Sequence, residues 1–230
     1  MPSLARYDVG CVRTPMATFK VVVLMGLASV RMNAESCRRC ALADVRSKVV
    51  FGGVDGYRGV RADLMLVGEG PGAEEDAKGI PFVGTAGLSL EALLRESGLE
   101  RKSAYITNVV KCRPAMARDG QAPSNRAPEP HEIASCWEYL DSQIALVRPQ
   151  VIVALGVTAT VRLLGPHAQV GTSRGRGHFH GAIPVVATYH PSPSSLNRRR
   201  GRREMVLDDF ALVRDLLGES AKAIPAFSER

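Results

Sequence analysis

The sequence is poor in aromatic residues and lacks long apolar runs. Only 5% of its 230 residues are Phe, Trp or Tyr, although 45% are hydrophobic. A sizeable core is therefore available, and each aromatic residue in a polar stretch is informative. No stretch reaches the roughly 18 consecutive apolar residues that a membrane-spanning helix needs. We therefore expect no membrane partner.

A convincing export signal is also missing. The apolar run 21–30 follows basic residues, as in a signal peptide, but Asp8 lies in the would-be basic region. The stretch after the run, RMNAES, is a poor cleavage site. We therefore expect a cytoplasmic protein whose residues 1–32 form an N-terminal extension of uncertain order. A translation start at Met32 and a genuine N-terminal strand or helix are the alternatives.

The cysteines do not form the pattern of a disulfide framework, because their number is odd in a chain of this length. Cys37 and Cys40 form a C-x2-C hairpin, and Cys112 and Cys136 flank the stretch 113–135. By count, four thiolates suit zinc and an iron–sulfur cluster equally. The second C-x2-C knuckle of a zinc ribbon is absent, which favours a [4Fe–4S] cluster. Zinc is the runner-up, and ordinary buried cysteines are the third possibility.

We expect the metal to be structural, because no electron-transfer partner motif is visible. It would hold the N-terminal part of the domain and the stretch 113–135 together. The fifth cysteine, Cys11, is then a free bystander.

The charge balance favours a polyanionic partner. The formal net charge is +7 and the isoelectric point is about 9.4. A basic surface attracts nucleic acid. An inert basic surface is the alternative at this stage.

Apolar runs alternate with amphipathic stretches along most of the chain. This alternation predicts an α/β fold with a mostly parallel sheet covered on both faces, within one domain at 33–220 and followed by a loose tail at 221–230. Residues 113–131 are rich in Pro, Arg and Asn and are predicted to be irregular. The predicted strands are 48–53, 57–68, 103–110, 150–156 and 182–191, and the main predicted helices are 85–98, 131–147, 157–165 and 204–220.

Three predicted strands end in residues that can carry chemistry. They are the turn Gly68–Gly72, Asn108 and His190. Ligands of parallel α/β sheets bind at the carboxyl ends of the strands. We therefore expect these three places to converge on one edge of the sheet.

Five motifs stand in order along the chain, at fitting distances from one another and from the four cysteines. Together they closely resemble the family 4 uracil-DNA glycosylases, the iron–sulfur branch of the uracil-DNA glycosylase superfamily. The resemblance covers about residues 36–217 and implies a three-layer α/β/α fold around a mostly parallel four-stranded sheet. The motifs are GEGPGAEEDAKGIPFVGTAG (68–87), ITNVVKCRP (106–114), SNRAPEP (124–130), VIVALG (151–156) and TYHPS (188–192).

The resemblance implies a role for two residues in holding a flipped-out base. Phe82 would stack on the uracil ring. The amide of Asn108 would accept from uracil N3–H and donate to O4, a pattern that cytosine reverses. The turn Gly68–Gly70 would bring backbone N–H groups against the base. Considered alone, Phe82 would more often be a core aromatic and Asn108 a turn residue.

His190 would donate to uracil O2 while the glycosidic bond breaks. Negative charge then builds on the departing base, and a well-placed donor lowers the barrier by about 3 kcal/mol. The sugar would become oxocarbenium-like, as in other glycosyl transfers. A turn histidine is the alternative for His190 considered alone.

The resemblance does not assign a water-activating base. The best-known branch of the superfamily has an aspartate where this chain has Gly70. Glu75 would orient water or structure the site, Glu69 is a weaker choice, and Asn125 would also reach the base.

The stretch after His190 resembles the loop with which such enzymes enter the minor groove of DNA. Leu196 would wedge into the gap left by the base. Its serines would contact phosphates and its arginines would neutralise them, which makes binding depend on salt. A solvated basic loop is the alternative. The residues concerned are Ser192, Ser194, Ser195, Leu196, Arg198, Arg199 and Arg200, with Arg202 and Arg203 beyond them.

The sequence departs from the family pattern in two places. Residues 115–124 look like an insertion, and the last motif replaces a more apolar pattern. A related branch captures the abasic sugar with a histidine in a long loop, but 113–130 contains none, so we expect ordinary turnover.

The expected substrate is uracil in single- or double-stranded DNA, bound by a monomer. Two alternatives remain open. One is a glycosylase for hypoxanthine, xanthine or mismatched thymine, and the other is a non-catalytic, metal-containing DNA-binding module.

Overall fold

The computed structural model describes residues 26–54, 61–118 and 120–223. The strands of this part are β1 (Gly53–Val54), β2 (Leu64–Gly68), β3 (Ala104–Asn108), β4 (Ala115–Arg118), β5 (Gln121–Asn125), β6 (Val151–Leu155), β7 (His178–His180) and β8 (Ile183–Thr188). The helices are α1 (Leu27–Glu35), α2 (Leu42–Val45), α3 (Ala73–Lys78), α4 (Thr85–Glu96), α5 (Pro130–Val147), α6 (Val157–Leu164), α7 (Val170–Ser173), α8 (Pro193–Leu196) and α9 (Arg202–Ala223), with a 3-10 turn at Arg101–Ser103.

The main sheet has the strand order β1-β3-β2-β6-β8-β7. Its four central strands, β3, β2, β6 and β8, are parallel. The predicted mostly parallel four-stranded sheet is therefore confirmed as the centre of the fold. Short antiparallel strands, β1 and β7, extend it at the two edges.

Both faces of this sheet are covered, which explains why its strands read as continuous apolar runs. Alternate residues of a strand point to opposite faces. In β2, Met65 and Val67 pack into the core beneath α1, α5 and α6. Leu64 and Leu66 pack into the second core beneath α4 and α9. The three-layer α/β/α arrangement is thus confirmed.

The N-terminal helix α1 crosses the predicted domain boundary at residues 32 and 33. Leu27, Val30 and Ala34 are buried and pack in the same core as α5. Residues 1–25, which include the first half of the signal-like run 21–30, lie outside the described residues. At the other end, α9 reaches into the predicted tail 221–230, of which the last seven residues lie outside the description.

The prediction that 113–131 is irregular was wrong for residues 115–125. Strands β4 and β5 form an antiparallel hairpin there, with a shift in register between Met116 and Arg118. Pro123 lies within β5, which is possible because a two-stranded ribbon leaves every strand with an edge. In the described part of the chain, no helix is long and apolar enough to cross a membrane.

Candidate active site

A cavity of about 360 Å³ opens at the carboxyl edge of the central strands. It lies between the turn after β2, the end of β3, the base of the β4–β5 hairpin and the segment after β8. The side chains and turn residues predicted for base binding or catalysis line this one cavity, together with Ser192, whereas Gly68 lies just outside its lining. The predicted residues are Glu69, Gly70, Glu75, Phe82, Asn108, Asn125 and His190.

Gly68 brings two of these side chains close together. It pairs with Asn108 in the β2–β3 register. A Cβ at Gly68 would lie 2.4 Å from Asn108 Oδ1 and 2.6 Å from Phe82 Cζ. Only glycine fits there, so the amide and the ring both lie against the backbone at the end of β2.

Asn108 presents its amide to the cavity. The residue is 2% exposed, and its side chain makes no hydrogen bond to any other described residue. Buried amides are normally hydrogen-bonded within the protein. The amide of Asn108 is therefore available to a molecule in the cavity.

The ring of Phe82 faces the ring of His190. Their centroids are 5.9 Å apart and their planes are inclined by 31°. Phe82 has a φ of 52°, an uncommon backbone conformation for a residue with a side chain. Such strain is maintained only when neighbouring contacts fix the backbone.

Glu75 supplies those contacts. Its Oε1 accepts hydrogen bonds from the N–H groups of Val83 (2.9 Å) and Gly84 (2.8 Å). Its Oε2 accepts from the N–H of Gly72 at 3.1 Å. One carboxylate therefore ties the turn before α3 to the segment that carries Phe82. These are the contacts of a positioning residue, and the predicted part of Glu75 in catalysis stays a prediction.

The other residues named for water activation also have defined surroundings. Glu69 Oε2 accepts a hydrogen bond from the hydroxyl of Thr158 in α6. A Cβ at Gly70 would lie 2.8 Å from Val110 Cγ2 and 3.2 Å from Pro114 Cδ. A larger residue at Gly70, such as the aspartate of the other branch, would require Val110 and Pro114 to shift.

Asn125 is held by an arginine that the sequence did not single out. Arg113 donates from Nε to Asn125 Oδ1 at 2.8 Å and from its terminal nitrogen to the Pro123 carbonyl at 2.7 Å. Because Oδ1 accepts from Arg113, the amide nitrogen is directed elsewhere. A Cβ at Gly72 would lie 3.3 Å from that nitrogen.

The tautomer of His190 follows from its surroundings. The backbone N–H of Ser192 donates to His190 Nδ1 at 3.2 Å. Nδ1 is then an acceptor, so in the neutral ring the proton is on Nε2. Burial lowers the pKa of His190 and outweighs the opposite effect of Glu75. The residue is therefore a neutral imidazole with one N–H to donate.

The four cysteines of the described chain share one neighbourhood. Cys37 lies near enough to Cys112 and Cys136 to influence their pKa values electrostatically, and Cys40 does the same to Cys112. Burial raises the pKa of the Cys136 thiol to about 11 and also raises that of Cys112. In the described ranges, no three Cys, His, Asp or Glu side chains are grouped so that they could hold one metal ion.

Two N–H donors point at the deeper sulfur atoms. Arg46 donates to Cys112 Sγ at 3.1 Å and to the Cys37 carbonyl at 3.0 Å. The backbone N–H of Lys111 donates to Cys136 Sγ at 3.3 Å. Hydrogen bonds to ligand sulfur are typical of iron–sulfur sites. Four neighbouring cysteines with these donors fit a group wider than one ion.

The arginines in the loop after His190 form two groups: three without a partner in the part of the chain that the structure describes, and two that contact other residues of the protein. Arg198, Arg199 and Arg200 are exposed and have no side-chain partner among the described residues. Arg202 stacks on the ring of Tyr189 at 4.1 Å and donates to the Ser195 carbonyl at 3.1 Å. Arg203 forms a two-pronged ion pair with Glu96.

Arg202 and Arg203 therefore have partners within the protein, and the phosphate contacts expected of them stay predictions. Arg202 shapes the loop, and Arg203 fastens it to α4. Leu196 is half-buried against the core beneath α4 and α9. Ser194 is exposed, and Ser192 and Ser195 are half-buried. The DNA contacts predicted for these residues stay predictions.

Comparisons with known proteins show the family of this chain. The family model of the uracil DNA glycosylase superfamily matches residues 56–212. The type-4 uracil-DNA glycosylase of Thermotoga maritima is 41% identical over 197 residues, which cover 84% of this chain and 95% of that protein. The type-4 uracil-DNA glycosylase of Sulfurisphaera tokodaii is 38% identical over 199 residues, which cover 83% of this chain and 84% of that protein.

A solved structure supports the fold alone. Wild-type SMUG2 of Pedobacter heparinus aligns with a TM-score of 0.52 at 13% identity, over 72% of this chain and 80% of that one. Fold, cavity and relatives together place the chain in the uracil-DNA glycosylase superfamily. Within it, the chain belongs to the type-4 family.

Proposed function

We propose that the protein removes uracil from DNA by hydrolysing its N-glycosidic bond, which leaves an abasic site. One observation carries this proposal: Phe82, Asn108 and His190, far apart in the sequence, line a single cavity of about 360 Å³. The type-4 uracil-DNA glycosylases that resemble this chain over most of its length support it.

The residues divide the work between recognition and catalysis. Phe82 stacks on the extruded base. The free amide of Asn108 accepts from N3–H and donates to O4, so cytosine would leave its polar groups unpaired. His190 donates from Nε2 to O2 as negative charge develops there. Because the ring is neutral, it donates without carrying a charge into the ground state.

Glu75 positions the segment that carries Phe82, and Asn125, which lines the cavity, reaches the base. No aspartate is available at Gly70, so leaving-group stabilisation provides most of the catalysis. The free arginines, Arg198, Arg199 and Arg200, neutralise phosphates of the bound DNA. Ser192, Ser194 and Ser195 contact its backbone, and Leu196 fills the gap left by the base.

The cysteines Cys37, Cys40, Cys112 and Cys136 hold a [4Fe–4S] cluster, with zinc as the runner-up. The hydrogen bonds from Arg46 and Lys111 to sulfur support the cluster. When bound, the cluster supplies structure and takes no part in the reaction.

The test uses oligonucleotides that contain one uracil in single- or double-stranded form, followed by alkali. Strand breaks that disappear in His190→Ala and Asn108→Ala support the proposal. Parallel substrates with hypoxanthine, xanthine or mismatched thymine define the range of bases. An absence of breaks with every substrate, despite DNA binding, would identify a binding module instead.

A further inference from the structure

Lys111 lies between the strand end that carries Asn108 and the cysteine region. Its Nζ donates to the Asn108 carbonyl at 2.5 Å, to Thr107 Oγ1 at 2.9 Å and to Gln143 Oε1 at 2.7 Å. These three acceptors match the three protons of the charged form of lysine. The residue is 1% exposed, so these bonds form away from water.

The backbone of the same residue is fixed on the cysteine side. Its N–H donates to Cys136 Sγ at 3.3 Å, and its carbonyl accepts from the N–H of Val50 at 2.8 Å. Cys112 is the next residue along the chain. Any rearrangement of Cys112 or Cys136 therefore moves the backbone of Lys111.

The side chain of Lys111 transmits that movement to the cavity. Asn108 pairs with Gly68 at the end of β2, and the two residues after it are bonded to the same place, from Val109 N–H to the Gly68 carbonyl and from Val110 N–H to the Glu69 carbonyl. The bonds of Lys111 Nζ connect the Asn108 carbonyl to Gln143 in α5. Loss of those bonds leaves Asn108 held from β2 alone, and the amide in the cavity then samples more orientations.

We propose that Lys111 is a positioning residue through which metal binding at the cysteines sets the placement of Asn108. The role of Asn108 here rests on the proposed function, and the metal rests on the proposed cysteine site. Lys111 does not touch the base. It donates a hydrogen bond to the backbone carbonyl of Asn108, whose side chain contacts the base.

The first experiment compares Lys111→Met with the native protein. Methionine keeps most of the side-chain length and removes the three donors. Uracil excision is expected to fall about tenfold to a hundredfold in kcat/KM, as is usual when a supporting partner of a site is lost. The control is Lys102→Met, the same change at an exposed lysine that pairs with Glu100 at the surface. This variant should excise uracil at the native rate.

The deciding readout is independent of activity. Amide hydrogen exchange is followed in the segment that contains Val109 and Val110, before and after metal is stripped with ferricyanide and EDTA. Stripping should accelerate exchange in the native protein. In Lys111→Met, exchange should already be fast and stripping should add little. If Lys111→Met does not fold, Lys111→Gln, which keeps one amide donor, takes its place in the same comparison.

Equal acceleration in both proteins would overturn the coupling, and so would native-like exchange in metal-loaded Lys111→Met. A purified native protein that holds neither iron nor zinc would also overturn it. A native protein that releases no uracil would overturn the proposed function, whereas the exchange comparison would still decide the coupling.

Discussion

The base cavity and the hydrogen-bond network around Lys111 meet at Asn108. The polar side chains of the network are hydrogen-bonded to one another, whereas two of those in the cavity have polar atoms without a partner among the described residues. In the network, Lys111, Thr107 and Gln143 satisfy one another and the carbonyl of Phe51. In the cavity, the amide of Asn108 has no partner in the described chain and Nε2 of His190 is free to donate. Buried polar groups are costly when they are unpaired. The unpaired groups therefore identify where a ligand binds, and the satisfied ones identify what holds the site in place.

The largest expected effect comes from removing the donor that His190 provides. His190→Ala should lower the single-turnover rate of uracil excision by about a hundredfold to a thousandfold, because one donor to developing charge is lost. The thermal midpoint should change little in comparison. A matched change at an exposed histidine, His131→Ala, should leave the rate unaltered. A native rate in His190→Ala would remove this residue from the mechanism.

A second prediction concerns the glycine that lets the amide and the ring approach each other. In Gly68→Ala the new Cβ would lie 2.4 Å from Asn108 Oδ1, so the amide must move. A displacement of about 1 Å costs roughly a hundredfold in rate, and the overpacking costs about 1–3 kcal/mol of stability. Excision kinetics and urea unfolding measure the two effects. Gly26→Ala, where nothing lies within 4 Å, is the control.

A third prediction concerns the three arginines of the loop after His190 that have no partner within the described part of the protein. Replacing Arg198, Arg199 and Arg200 together by Ala should reduce the salt dependence of DNA binding, the slope of log K against log salt, by about 2 to 3. Arg38→Ala, at an exposed position near the cysteines, should not change the slope. Fluorescence anisotropy at several salt concentrations measures it. An unchanged slope in the triple variant would move the DNA contact to another face.

The smallest effect is expected from pH near neutrality. The pKa of His190 is lowered by burial, so the ring is neutral above its ordinary value of about 6.5. Excision should be insensitive to this group above that pH and should decline on the acid side, where protonation of Nδ1 breaks the bond from Ser192. His190→Asn should lose that acid decline.

The free energy of unfolding should also fall on the acid side. The unfolded chain takes up the proton at a higher pH than the folded chain, so the contribution of neutral His190 is complete above pH of about 6.5 and is lost as pH falls through the lowered pKa. Urea unfolding of native and His190→Asn protein at a series of pH values measures this. An acid loss of stability that persists in the variant would assign it to other groups.

The sequence predicted the parts of the site that depend on strand order. Alternating apolar runs indicated a parallel sheet, and parallel strands bring their carboxyl ends to one edge. For that reason Gly68, Asn108 and His190 were expected together, and the cavity contains Asn108 and His190 beside the turn that Gly68 begins. The motifs then supplied Phe82 and Asn125, which no periodicity would reveal.

The sequence did not predict contacts between residues distant in the chain that leave no local pattern. Lys111 looked like one more basic residue, and its burial depends on Gln143 in α5 and on the end of β3. Arg202 looked equivalent to Arg200 until the ring of Tyr189 was placed beneath it. The hairpin at 115–125 was missed because its composition is that of a loop, whereas pairing between its strands is a non-local property.

The three amide bonds accepted by Glu75 have a consequence for how the enzyme would search DNA. They hold the segment carrying Phe82 through bonds within the protein, so the shape of the aromatic wall does not depend on contacts with the base. A preformed binding site of this kind would bind bases that have already left the helix through opening of the base pair. The rate at which uracil is found would then follow the rate at which its base pair opens, and weakly paired uracil would be found first.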